Sequence, residues 1–110
     1  MTSPARRARV VLFQRTDLSG PAAARDYEVM QGECIAHEFD VVGELIGDRY
    51  RWAAPISALI AECVTSSADG VLTPSLDHLE TGLVVVSTAA YVMTVQPRRL
   101  WVRGKVVSWP

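Results

Sequence analysis

Four consecutive apolar residues near the start of the chain, at positions 10–13 (VVLF), constrain the possible folds more than any other feature. Such a run is typical of a strand that is buried on both faces, as in the middle of a parallel sheet covered by helices. Arg15, Thr16 and Asp17 follow it directly. Because ligands of open α/β sheets bind outside the carboxyl ends of the strands, we expect a functional site at these residues.

Size and charge are those of an ordinary globular protein. A chain of 110 residues forms one domain, which buries roughly two thirds of the surface that the unfolded chain exposes. The formal net charge of −1 does not indicate an electrostatic nucleic-acid binder. Two local basic groups are present, Arg6, Arg7 and Arg9 near the start and Arg98, Arg99 and Arg103 near the end. Each group either contacts phosphate or is solvated surface.

The cysteines and the lengths of the apolar stretches indicate the cellular compartment of the protein. Cys34 and Cys63 fall on the apolar faces of predicted helices, which favours buried thiols over a disulfide or metal ligands. The start of the chain has no signal-peptide core, and the longest apolar stretch, residues 83–95, is too short to span a bilayer. We therefore expect a cytoplasmic protein with no membrane contact, no cofactor and no metal.

Apolar periodicity and turn residues predict alternating strands and helices. We expect strands at residues 9–14, 39–46, 71–73 and 100–102, and helices at residues 21–37 and 55–66. The helix at 55–66 has the clearest signal, because its apolar residues recur at i, i+3, i+4, i+7 and i+8. Residues 1–8 are expected to be a flexible leader, residues 9–103 the folded domain, and residues 104–110 a tail or an edge hairpin.

Residues 75–96 fit two different structures. Their β-branched residues, such as Val84, Val92 and Val95, favour a strand. Apolar residues three or four apart, such as Leu79 and Leu83, favour a helix. The pattern alone does not decide between them. With a helix there, the order of elements predicts a right-handed, mostly parallel, three-layer α/β sandwich.

Four stretches in this order resemble the catalytic domain of serine recombinases of the resolvase/invertase type, over residues 9–102. RVVLFQRTD resembles the motif of strand, aromatic, arginine and serine, and DVVGELIGD resembles a second strand that ends in aspartate. APISALIAEC resembles a helix preceded by arginine, and DGVLTPSLDHLETG a third strand followed by Asp-Arg-Leu and another arginine. The resemblance implies a four-stranded, mainly parallel, resolvase-like (flavodoxin-like) sandwich, with a helix over most of residues 75–94.

Carried over residue by residue, the resemblance implies an inactive site. In the family, a serine attacks a DNA phosphodiester and several arginines offset the charge of the transition state. The serine position is Asp17 here, and its carboxylate would repel phosphate. Phe13 and Arg15 keep the aromatic residue and the arginine of the first motif. The acidic position at the end of the second strand holds Gly47, and Asp48 comes one residue later. The arginine position before the second helix is Ala54. In the third motif Asp77 is retained, and the two arginine positions hold His78 and Thr81.

Aromatic residues in two places are candidates for partner binding. Tyr50, Arg51 and Trp52 lie in the loop after the second predicted strand, where they either anchor the loop or contact a protein or a base. Trp101 and Trp109, near the end of the chain, either fold back on the domain or form an apolar interface.

Carboxylates suggest a further alternative. Asp17, Asp48 and Asp77 would suit Mg²⁺ if the fold brought them together beside His78. The competing interpretation is that Asp17 and Asp77 cap the helices that follow them, as Ser19 and Ser75 also would.

These observations favour a non-catalytic resolvase-like domain that serves as a binding, assembly or regulatory module through a protein partner or self-association. The first alternative is a DNA-associated accessory protein of recombination or replication, which would use Arg15 and the two basic groups. The second is a metal-dependent phosphoryl-transfer enzyme built on Asp17, Asp48 and Asp77.

Overall fold

A computed structural model describes residues 7–107 of the chain. The strands are β1 (Arg9–Arg15), β2 (Asp40–Gly47), β3 (Gly70–Thr73), β4 (Tyr91–Val95), β5 (Arg98–Val102) and β6 (Lys105–Val107). The α-helices are α1 (Thr16–Ser19), α2 (Ala23–Ala36), α3 (Pro55–Thr65) and α4 (Leu83–Ala89). Short 3₁₀ turns cover Gly20–Ala22 and Leu76–Leu79. The α/β class predicted from the sequence is confirmed.

The sheet has more strands than the sequence predicts, and the strands do not all run in the same direction. It has six strands in the order β2-β1-β3-β4-β5-β6, where the expectation was four mainly parallel strands. The four strands β2, β1, β3 and β4 pair in parallel, whereas β5 and β6 are antiparallel to their neighbours. The strand expected at residues 100–102 is therefore the second arm of a hairpin, and the fourth parallel strand is β4.

Residues 75–95 account for this difference. The expected single helix is wrong for this stretch, because the chain forms a 3₁₀ turn, the short helix α4 and then the strand β4. Val92, Met93 and Thr94 pair with β3, and in this tertiary setting their preference for a pleated, buried surface outweighs the helical spacing.

Helices cover both faces of the sheet. On one face, Met30 and Cys34 of α2 pack on Val10 and Leu12 of β1. On the other face, Leu59 and Cys63 of α3 and Val86 of α4 pack on Val11 and Phe13. All four residues of the VVLF run have 0% exposure, so this strand is buried on both faces as expected, although it lies next to the edge strand β2 and not at the centre of the six-stranded sheet. Both cysteines are buried free thiols, and burial raises the pKa of each to about 11.

The two ends of the described chain join the sheet edges. The backbone N–H of Asp40 donates to the carbonyl of Ala8 at 2.8 Å, so the last residue of the expected leader already lies against β2. At the other end, β6 pairs with β5 as an edge hairpin. Trp109, a candidate contact residue, lies outside the described residues.

The connections that follow β1 and β3 run to opposite faces of the sheet. After β1 the chain passes to α2 on one face of the sheet, and after β3 it passes to α4 on the opposite face. The neighbouring strands β1 and β3 therefore send their chains apart at their carboxyl ends. In open α/β sheets this is the position at which ligands bind. We call it the switch-point crevice.

Two glycines offer a test of how tightly the sheet is packed. A Cβ added to Gly70 on β3 would overlap the ring of Tyr91, whereas one added to Gly32 in α2 meets no atom within 4 Å. We expect Gly70→Ala to lower the free energy of unfolding by about 1–3 kcal/mol through overpacking. Gly32→Ala is expected to raise it by about 0.5–1 kcal/mol, since alanine is the better helix former. Urea denaturation of both variants measures the effects, and equal effects would contradict this description of β3.

Candidate functional site

At the switch-point crevice, the ends of β1 and β2 meet residues of the segment that follows β3. Arg15 is the last residue of β1 and lies opposite Gly47, the last residue of β2. His78 and Glu80 come from the segment after β3 and reach Arg15. The sequence predicted this location and the participation of Arg15, Asp17 and His78.

Arg15 is enclosed by two carboxylates. Its Nε and Nη2 donate to Oδ1 and Oδ2 of Asp17 at 3.0 and 2.8 Å, and its Nη1 donates to Oε1 of Glu80 at 2.8 Å. The Arg15 side chain is only 7% exposed. These bonds hold the pKa of Asp17 below its usual range and raise that of Arg15 further. One positive charge is thus matched by two negative ones, so the guanidinium is already satisfied within the protein.

His78 packs beneath this cluster. It is 3% exposed, and its Nδ1 accepts a hydrogen bond of 2.8 Å from the backbone N–H of Arg15. Burial is the main cause that lowers the pKa of His78, although the nearby Asp26, Asp77 and Asp17 oppose the shift. The acceptor role of Nδ1 places the proton of the neutral ring on Nε2. His78 therefore fixes the loop after β3 to the end of β1.

A second polar network lies behind the crevice. Gln14, with 0% exposure, donates from Nε2 to Ser19 Oγ at 3.0 Å and to the carbonyl of Ala23 at 2.8 Å. Ser19 Oγ donates in turn to Oδ2 of the buried Asp26 at 2.7 Å. Ser19 makes no side-chain capping bond, so its expected role as a helix cap is wrong. Its hydroxyl instead joins β1 to α2.

The other expected caps also differ from the sequence interpretation. Asp17 lies in the first turn of α1 and Asp77 inside the 3₁₀ turn, and the residues at both cap positions, Arg15 and Ser75, make no side-chain capping bond. Asp17 is used by Arg15 instead. The strong ion pair explains this outcome, because a bidentate carboxylate–guanidinium contact outweighs a single bond to a backbone N–H.

The remaining motif positions place no second guanidinium beside Arg15, Asp17 and Glu80. Asp48 is exposed, and its Oδ1 accepts the N–H of Tyr50. Ala54 precedes α3, and Thr81 is an exposed residue before α4. A Cβ on Gly47 would meet the side chain of Arg51, so the stem of that residue covers the end of β2.

The three aspartates proposed for a metal are not gathered at one place. Among residues 7–107, no group of three or more His, Cys, Asp or Glu side chains is placed to hold a metal ion. Both carboxylate oxygens of Asp17 accept from Arg15, and Asp48 accepts from the backbone of its own loop.

The aromatic candidates divide between core and surface. Tyr50 is 78% exposed, with the guanidinium of Arg49 4.8 Å from its ring centre. Trp52 is half-buried, and its ring centre lies 5.9 Å from that of Phe13, which anchors the loop to β1. Trp101 is buried at 8% exposure, so in this fold it is a core residue and does not offer a contact surface.

Comparisons with models of protein families, with curated proteins and with solved structures gave no match. Within residues 7–107, no helix is both long enough and apolar enough to cross a membrane.

Two acidic residues of the site were missed in the sequence. Glu80 follows Asp77 and His78 in the same loop, and no sequence motif includes it. Its backbone lies in the left-handed region at φ 53°. Asp26 falls in the first turn of α2, where an acidic residue is typical of an ordinary helix start. For Glu80 the available signal was its place after β3 at the predicted functional edge of the sheet.

Acidification is expected to weaken the fold through His78. Because burial lowers the pKa of His78 in the folded state, its stabilising contribution is complete above the unfolded pKa of about 6.5 and is lost as the pH falls toward the folded value. We therefore expect the free energy of unfolding to decrease from about pH 7 to pH 5.

The variant His78→Gln provides the control, since its amide oxygen can accept the N–H of Arg15 without titrating. Urea denaturation across this pH range should give a smaller decrease for His78→Gln than for the wild type. Identical pH profiles would show that His78 is not the group responsible.

Proposed function

We propose that this chain is a non-catalytic, resolvase-like α/β domain that serves as a protein-binding, assembly or regulatory module. The observation that carries the proposal is the enclosure of Arg15 by Asp17 and Glu80. The sequence resemblance supports the finer description of the fold as resolvase-like, and the parallel part of the sheet with helices on both faces is compatible with it.

Electrostatics at the crevice oppose phosphoryl transfer. A phosphodiester that approaches Arg15 meets the carboxylates of Asp17 and Glu80, which would have to give up their bonds to the guanidinium. The position that the resemblance assigns to the nucleophile is Asp17, which has no hydroxyl. Loss of a nucleophile lowers the rate of such reactions by many orders of magnitude.

A covalent-adduct assay tests the absence of catalysis. The protein is incubated with supercoiled plasmid and with end-labelled duplex DNA, the reaction is stopped with detergent, and the products are separated under denaturing conditions. We expect no protein–DNA adduct and no strand cleavage. An adduct would overturn the proposal, and its loss in Ser19→Ala would identify the attacking hydroxyl.

A DNA-associated role remains the second candidate, because one part of the surface is distinctly basic. Arg99, Arg103 and Lys105 lie in or beside the β5–β6 hairpin, Arg98 beside them is paired with Glu33 at 3.2 Å, and no Asp or Glu follows Glu80 in the sequence. Arg15, by contrast, is enclosed and does not support this role. A gel shift with duplex DNA that weakens steeply with salt, and that Arg99→Gln/Arg103→Gln abolishes, would favour this candidate.

A metal-dependent phosphoryl-transfer enzyme is the third candidate from the sequence, and the separate contacts of Asp17 and Asp48 give it no support. Calorimetric titration with Mg²⁺ and Mn²⁺ tests it, and saturable heat that Asp17→Asn removes would revive it.

A further inference from the structure

The sheet has two open edges that differ in charge. The domain is elongated, with principal extents of 49 × 25 × 24 Å, and its sheet runs from β2 at one edge to β6 at the other. Among the described residues, neither β2 nor β6 has a strand on its outer side. Each edge strand therefore presents backbone N–H and C=O groups to which another strand can pair.

The β2 edge carries three exposed acidic residues, with Arg7 beside Glu38 and Glu44. Asp40 and Glu44 are exposed residues of this strand, and Glu38 lies just before it. Asp40 is 52% exposed and lies 3.8 Å from Arg9, a weak contact that leaves its carboxylate available. Glu44 accepts a hydrogen bond from Tyr27 at the surface.

The β6 edge is basic. Lys105 is exposed on β6, and Arg99 and Arg103 are exposed on the adjoining strand and turn. The chain has 12 Asp and Glu residues, and none of them follows Glu80. The C-terminal hairpin therefore carries positive charge without compensation from its own segment.

Both edges also expose apolar side chains. Val41 on β2 is 39% exposed and Ile35 on the neighbouring helix is 79% exposed. Val102, Val106 and Val107 of the hairpin are 42%, 54% and 42% exposed. Exposed aliphatic residues beside unpaired strand edges are typical of surfaces that another protein strand covers.

We propose that the β6 edge of one copy pairs with the β2 edge of a second copy, so that the sheets join head to tail. The opposite charges of the two edges make the pairing attractive, whereas contact between two β6 edges or two β2 edges brings like charges together. A second copy fits better than a nucleic acid because both edges offer aliphatic contacts and strand pairing in addition to charge. The contact joins two different surfaces, so it propagates along a filament or closes a ring. This inference rests on the proposed assembly function and names its partner.

Two charge reversals on opposite edges test the pairing. Asp40→Lys puts a positive charge on the β2 edge where it faces the basic β6 edge, and Lys105→Glu puts a negative charge on the β6 edge where it faces the carboxylates of β2. Each variant alone is expected to associate at least about tenfold more weakly than the wild type. An equimolar mixture of the two should recover association, because the unaltered β6 edge of the Asp40→Lys variant meets the unaltered β2 edge of the Lys105→Glu variant, and the two substituted edges carry opposite charges at positions 40 and 105.

Sedimentation velocity at low salt, from about 10 μM to about 1 mM protein, measures this association. Glu28→Lys and Arg25→Glu are matched controls, since they make the same changes in net charge at exposed positions of α2 and should associate like the wild type. Far-ultraviolet circular dichroism and urea denaturation establish that each variant folds.

The possible outcomes separate this inference from the function on which it rests. Wild-type association that neither edge variant weakens, or a mixture that stays monomeric, would overturn head-to-tail pairing and leave the assembly function standing. A monomeric wild type over the whole range would overturn the pairing as well, even if its β6 edge bound duplex DNA. A covalent DNA adduct would overturn the proposed function whatever the association.

Discussion

Phe13→Ala lowers the free energy of unfolding by about 3–5 kcal/mol. Phe13 has 0% exposure, lies on the interior strand β1, and packs on the same face as Leu59 and Val71. Its ring also lies 5.9 Å from that of Trp52, which fixes the loop after β2. Truncation removes buried apolar area and leaves a cavity that the surrounding strands cannot close. Small domains have a total stability of about 5–15 kcal/mol, so this variant is expected to be marginally folded.

Val64→Ala is the control for Phe13→Ala. Val64 lies on α3 but is 71% exposed, so its truncation should change the free energy of unfolding by less than about 0.5 kcal/mol. Urea denaturation monitored by tryptophan fluorescence and by circular dichroism measures both variants. A loss below about 1 kcal/mol for Phe13→Ala would contradict the burial of Phe13 between the sheet and α3.

Asp17→Asn/Glu80→Gln is expected to give the switch-point crevice an affinity for phosphate that the wild type lacks. Both substitutions keep the size of the side chain and remove the negative charges that enclose the guanidinium of Arg15. A charge-assisted hydrogen bond contributes about 1.5–3 kcal/mol, so an anion that gains one such bond binds about 10–100-fold more tightly. Calorimetric titration with inorganic phosphate measures the change.

Two further variants show whether the gain comes from Arg15. Adding Arg15→Gln to the double variant should remove the new affinity, because no guanidinium is then left at the end of β1. Glu28→Gln/Glu38→Gln changes the net charge equally at exposed positions outside the cluster around Arg15, and it should bind phosphate no better than the wild type. A gain that persists without Arg15 would place the phosphate elsewhere, for example at the exposed Arg49 or Arg51.

The sequence predicted secondary structure best where its residues fit only one type of element. The run at residues 10–13 is apolar throughout, and it became the buried part of the interior strand β1. The clear stripe in residues 55–66 became α3 within one residue of the expected end. Residues 75–95 were not predictable in this way, because β-branched residues with helical spacing satisfy both patterns, and pairing with β3 decided in favour of a strand at Val92.

The sequence indicated the position of the candidate site better than the side-chain contacts within it. The general rule for α/β sheets was sufficient to place Arg15 and Asp17 at the carboxyl edge, whereas His78 was expected there only from the resemblance and from the alternative metal site. From the sequence, Asp17 is a charge that repels phosphate, and in the structure the same carboxylate also binds Arg15 in a bidentate pair. The contribution of Glu80 depends on a left-handed backbone conformation in a loop, which no periodicity encodes.

The central claim is that Arg15 is committed to Asp17 and Glu80 and that the wild-type crevice therefore does not take up phosphate. The most direct test is a nuclear magnetic resonance titration of the ¹⁵N-labelled wild-type protein with inorganic phosphate, followed at the Nε–H of Arg15 and at the ring nitrogens of His78. The account predicts that these signals stay unchanged while exposed arginines shift weakly and without saturation. A saturable shift of the Arg15 Nε–H signal would contradict it.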